Sequence, residues 1–153
     1  MSSSGSVTRR ELLIVGGAVA LGVGPGCAIL RGGAKHPILS TAKLDGMTMR
    51  VPLGDLKGLA SGAVLEVKPG KPYPDLLITP NDGGGFRVIN GRCTHRGCIV
   101  DLATDARAWE CPCHGSRFDL DGRVTSGPAD KPLAMPPTRI DGDALIIDLS
   151  ALG

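Results

Sequence analysis

The sequence predicts an all-β domain of antiparallel strands, and three observations carry that prediction. From residue 50 onward the apolar residues come in short runs, each bounded by turn-forming residues. Gly at 23 and Pro at 12 supply turns in quantity, whereas the aromatic residues are only Tyr73, Phe86, Trp109 and Phe118. Beyond the first thirty residues only LGDLKGLA, at 53–60, looks briefly helical.

The strand candidates follow in order. AVLEVK (63–68) and DLLIT (75–79) flank the turn PGKPYP. NDGGG (81–85) then leads into FRVIN (86–90), where glycines that accept positive φ suit a hairpin. AWE (108–110) and SRFD (116–119) come next, and DLDG turns the chain into RVT (123–125). TRI (138–140), the turn DGD and ALIIDL (144–149) close the domain. Such a thin aliphatic core usually needs a covalent staple or a metal.

The first thirty residues differ in kind. Arg9 and Arg10 stand directly before an apolar run from Leu12 to Leu30 that contains no charge. This resembles a twin-arginine export signal, through Thr8, Arg9, Arg10, Glu11, Leu12 and Leu13. Nineteen residues at about 1.5 Å each reach roughly 28 Å, enough to cross a bilayer core of about 30 Å. No convincing small-x-small cleavage site follows, so residues 1–30 are expected to serve as both signal and membrane anchor. GPGC, ending at Cys27, leaves two readings open: a lipid attachment site, or a small apolar residue within a membrane segment. Residues 31–47 read as a linker or a loosely attached first strand, with His36 a solvated linker residue, and the main domain is expected over 48–153. The 17 basic and 15 acidic residues are dispersed, which excludes a nucleic-acid stripe and a charged tail.

The chemistry is concentrated between residues 93 and 116, CTHRGCIVDLATDARAWECPCHGS, which holds four of the five cysteines and two of the three histidines. Cys93-x-His95 and Cys111-x-x-His114 each offer one thiolate and one imidazole. That set suits a tetrahedral Zn(II), but C-x-H is shorter than zinc spacings usually are, and Cys98 and Cys113 are left over.

CTHRGC (93–98) and CPCHGS (111–116) resemble the two cluster-binding boxes of Rieske iron-sulfur proteins, in the same order and at a fitting separation. The likeness extends loosely over residues 50–149 and implies a β-sandwich with an inserted cluster-binding part at about 90–128. It implies one [2Fe-2S] cluster, with Cys93 and Cys111 on one iron and His95 and His114 on the other. Two neutral imidazoles in place of two thiolates make such a cluster easier to reduce, at about −150 to +300 mV against about −400 mV for all-cysteine ferredoxins. The same resemblance implies a disulfide between Cys98 and Cys113, a mark of the high-potential, quinol-oxidising branch; the alternative is two buried thiols, which an exported protein disfavours. It further implies that the Ser116 hydroxyl bonds a bridging sulfide. Phe118 stands where the family commonly has tyrosine, and SGPADKPL (126–133) resembles its proline-rich cover loop.

The implied function is electron transfer, as the iron-sulfur subunit of a quinol-cytochrome c reductase-type complex. Its partners would be cytochrome b- and c-type subunits and a quinol, with a proton moving at a ligand histidine. The chain would not be catalytic alone, and it would sit on the periplasmic side of a bacterial cytoplasmic membrane. Arg96 departs from this pattern, because quinol-docking members usually carry an apolar residue there. A cation at the tip suits an acidic protein partner, as for a stand-alone exported carrier or the small subunit of a periplasmic molybdenum oxidoreductase resembling arsenite oxidase.

Overall fold

A computed structural model describes residues 36–152. The twin-arginine stretch, the apolar run and Cys27 lie outside the described residues. The elements are β1 (Lys43–Asp45), β2 (Thr48–Pro52), one helical turn α1 (Leu53–Leu56), β3 (Leu65–Val67), β4 (Leu76–Pro80), β5 (Phe86–Asn90), β6 (Asp101–Leu102), β7 (Ala108–Glu110), β8 (Arg117–Asp119), β9 (Val124–Ser126), β10 (Thr138–Asp141) and β11 (Ala144–Asp148). They form three antiparallel sheets, ordered β1-β2-β11-β10, β3-β4-β5 and β6-β7-β8-β9.

The middle sheet explains why DLLIT is apolar without alternation. Successive side chains on a strand point to opposite faces, and here both faces are covered. Leu76 and Ile78 pack with Met49, Val51, Leu145 and Ile147 of the first sheet in one core. Leu77 and Ile89 face the other way, onto Val100, Trp109 and Phe118 beneath the third sheet. The second core also contains Cys93 and Cys111, so the site is built on the packing that joins the third sheet to the sandwich.

Of the two readings of residues 31–47, the described part takes that of a first strand attached to the fold: Leu39 N–H donates to the Glu66 carbonyl at 2.8 Å, Glu66 N–H to the Pro37 carbonyl at 2.9 Å, and β1 pairs with β2. Gly46, at φ 59° in the first position of the two-residue Gly46-Met47 loop, is the turn signal that marks this hairpin. It was obscured because β1 is an edge strand whose three residues are all exposed, leaving no apolar alternation to read. His36 is not solvated. Its side chain is 8% exposed, and Nε2 lies 3.3 Å from the Val100 carbonyl and 3.6 Å from the Asp101 carboxylate.

The β8–β9 turn makes a steric prediction. Gly122 has φ +80°, and a Cβ there would stand 2.6 Å from the Leu133 carbonyl oxygen, whose residue donates its own N–H to the Gly122 carbonyl at 2.8 Å. Gly122→Ala is expected to cost about 2–4 kcal/mol through left-handed backbone strain and the clash. Urea unfolding checks this; a midpoint unchanged from the parent protein would show that the turn tolerates a side chain.

Candidate metal centre

The two cysteine- and histidine-bearing loops share one backbone design. In the first, Cys93 N–H donates to the Cys98 carbonyl and Gly97 N–H to the Cys93 carbonyl, both at 2.8 Å. In the second, Cys111 N–H donates to the Ser116 carbonyl at 2.8 Å and Gly115 N–H to the Cys111 carbonyl at 3.0 Å. Gly97 and Gly115 both take φ 74°, which closes each loop and explains the repeated C-x-x-x-G. An Arg92–Ile99 bridge closes the base of the first loop, and the Glu110–Arg117 pair closes the second, with an ion pair at 2.6 Å. This local duplication is legible in the sequence as CTHRGC beside CPCHGS.

Equivalent loops place unlike side chains at unlike positions. The leading cysteines, Cys93 and Cys111, are each 2% exposed, carry free thiols and lie side by side. His95 is half-buried and His114 exposed; their ring centroids are 4.8 Å apart and nearly perpendicular. Cys98 and Cys113 form a disulfide that ties one loop to the other, with Cα atoms 6.5 Å apart.

Burial pushes the Cys111 thiol above its usual range, and the adjacent Cys93 thiol adds to the effect. The backbone N–H groups of Cys113 and His114 pull the other way. Nδ1 of His95 is buried and lacks any partner among the described residues. An orphaned nitrogen out of water is costly on its own, and a metal group would satisfy it while taking the two neighbouring thiols as thiolates.

Among the described residues, the compact group of potential ligand atoms is Cys98, Cys111 and Cys113, within 4.8 Å of one another. Two of those sulfurs are committed to the disulfide. The four predicted ligands instead form two pairs, a thiol pair in the core and an imidazole pair at the rim, which suits a two-iron group better than one tetrahedral ion.

The 126–133 segment is fastened to both loops. Thr94 Oγ1 donates to the Lys131 carbonyl at 2.6 Å, and Ala129 N–H donates to Ser116 Oγ at 3.0 Å. Ser116 is fully buried, and accepting that bond leaves its own hydrogen free to give. Ala129 and Leu133 enter the core around Cys93 and Cys111. Phe118 is fully buried opposite Trp109, whose Nε1 is buried without a partner among the described residues. Sequence reasoning missed the parts played by Thr94 and Trp109. Thr94 acts through a bond to a residue 37 positions away, and no local pattern marks such a pairing.

A model of the Rieske [2Fe-2S] domain family matches residues 50–137. The chain is 37% identical to the cytochrome b6-f complex iron-sulfur subunit of Chlorobaculum thiosulfatiphilum over 94 residues, covering 58% of this chain and 52% of that protein. It is 44% identical to the mitochondrial Rieske subunit of the Saccharomyces cerevisiae cytochrome b-c1 complex over 61 residues, 39% of this chain and 28% of that one. The chain thus spans about half the length, or less, of the curated relatives it matches. Among solved structures it is similar to the cyanobacterial plasma membrane Rieske protein PetC3 from Synechocystis PCC 6803, with 33% identity and a TM-score of 0.51 over 63% of this chain and 94% of that one.

Proposed function

Because the chain belongs to the Rieske [2Fe-2S] domain family, we propose that it works as an electron-transfer protein whose cluster is held by Cys93 and Cys111 on one iron and His95 and His114 on the other. The observation that carries this reading is the segregation of the four side chains into a buried thiol pair and a rim imidazole pair, with the orphaned Nδ1 of His95 as a ready ligand atom. The bound cluster supplies one-electron redox chemistry at a potential raised by its two neutral ligands.

The rest falls to the protein. The core around Cys93 and Cys111 excludes water from the thiolates, and the N–H groups of Cys113 and His114 favour the charged form of Cys111. Ser116 offers its remaining hydrogen in the same direction and favours the added negative charge. With Nδ1 of His95 given to metal, its Nε2 carries the proton, and the exposed ring of His114 offers a second proton site at the surface. Proton exchange at these rings would suit a quinol hydroxyl as donor.

The relatives from cytochrome b6-f and b-c1 complexes support a place as the iron-sulfur subunit of a quinol-oxidising complex with cytochrome b- and c-type partners. Arg9 and Arg10 before the apolar run support export by the twin-arginine route and anchoring on the periplasmic side of the membrane. Arg96, exposed beside His95, favours a second reading in which the partner is a protein, as for a stand-alone carrier or a molybdenum enzyme's small subunit.

Proton coupling has a definite sign. The reduced site is the more negative and holds the ring protons more tightly, so raising the pH disfavours reduction. The potential of the purified full-length protein should therefore fall on the alkaline side, by up to about 59 mV per pH unit for each coupled proton. A potentiometric titration followed by visible circular dichroism reads this directly. A potential flat up to the pH of unfolding would remove the histidines from proton transfer.

A further inference from the structure

The charges that flank the metal loops are mostly spent within the protein. Arg92 pairs with Asp75 at 2.9 Å and Arg117 with Glu110 at 2.6 Å, while Arg123 lies between Asp121 at 3.0 Å and Asp119 at 3.5 Å. Arg96 and Lys131 are different. Both are exposed, and neither forms an ion pair with the described residues.

Their placement is built in. Arg96 follows His95 directly in the first loop, and the Thr94 hydroxyl holds the Lys131 main chain against that same loop. On the three segments that make the rim, 93–98, 111–116 and 126–133, the charged residues are Arg96, Lys131 and Asp130, so the rim is net positive. A paired charge contributes little field at a distance, whereas an unpaired one steers an approaching molecule. Burying the two unpaired cations in an apolar pocket would cost several kcal/mol. Meeting carboxylates removes that cost.

We infer that this rim is a docking surface for the acidic face of a partner redox protein, with Arg96 and Lys131 as its anchoring charges. The inference rests on the electron-transfer reading above and specifies the partner that reading leaves open. Such a partner would settle over the rim that carries the His95 and His114 rings, 4.8 Å apart, with its carboxylates toward Arg96 and Lys131.

Binding of the full-length, cluster-loaded protein to two probes tests this: an acidic c-type cytochrome and a basic one, each titrated at low and at physiological ionic strength. The acidic probe should bind roughly tenfold or more tightly than the basic one at low salt, and its advantage should shrink as salt rises. The R96Q/K131Q double variant should lose most of that advantage, the charge-keeping R96K/K131R variant should restore it, and K43Q, on the edge strand of the far sheet, should change nothing. Equal binding of the two probes, or undiminished binding of the acidic one by R96Q/K131Q, overturns the inference. The paramagnetic spectrum of each sample separates the two ideas. An intact cluster without charge discrimination sinks the docking surface, while an unaltered protein that holds no cluster sinks the electron-transfer reading instead.

Discussion

Replacing Cys111 by serine is expected to leave the protein without its cluster. The thiol is 2% exposed and lies against Cys93, and the backbone N–H groups of Cys113 and His114 favour its charged form, all of which fits the proposed role of a thiolate ligand to iron. A serine hydroxyl fits the space but remains protonated, and it is a poor ligand where a soft sulfur is required. The orphaned Nδ1 of His95 then stays orphaned, and Cys93 is left as the one free thiol among the described residues. The loss should be confined to the metal. Met49, Val51, Leu76, Ile78, Leu145 and Ile147 form a separate core between the first two sheets and do not touch this site. Iron and acid-labile sulfide per chain should fall to background while the far-ultraviolet signature of the β-sandwich persists. Iron at the parent stoichiometry in Cys111→Ser would take Cys111 out of the ligand set.

Removing the disulfide should produce a different phenotype, in which the cluster is assembled but poorly kept. Cys98 and Cys113 are 15 residues apart, and closing a loop of that length stabilises a fold by about 3 kcal/mol, chiefly by restricting the unfolded chain. The bridge joins two loops that are otherwise held by their own backbone bonds and by the 126–133 segment. A Cys98→Ser/Cys113→Ser variant is therefore expected to unfold at lower urea, by about 3 kcal/mol, and to release iron faster in the presence of a chelator. Mild reduction of the parent protein should reproduce both effects. Equal stability and equal iron release in the two proteins would show that the loops need no covalent tie.

The contrast between these variants reflects what a sequence displays. The fully exposed β10 is legible only through the DGD turn that joins it to β11, whereas β3, β4, β5, β7, β8 and β11 announce themselves through short runs in which at least one residue is buried. β1 does not, since an edge strand with three exposed residues has no buried face to encode. His36 was misplaced for a related reason: its partners, Val100 and Asp101, are more than sixty residues away. The six cysteine and histidine positions were legible because their spacing in two short boxes carries the chemistry, and the structure places the Cys98–Cys113 bridge where the family resemblance put it. The fastening of the 126–133 segment to both boxes was not legible. It depends on Thr94 and Ser116 bonding main-chain groups 37 and 13 residues away, and no composition or period records that.

The central claim is that two imidazoles and two thiolates of this chain share one two-iron cluster. Electron spin-echo spectroscopy of the reduced full-length protein, grown with 15N-labelled histidine, tests it most directly. Two nitrogen couplings should appear, both changed by the label, and one should vanish with the substitution of either His95 or His114. A reduced cluster without nitrogen coupling, or a colourless protein loaded with zinc, would contradict the account.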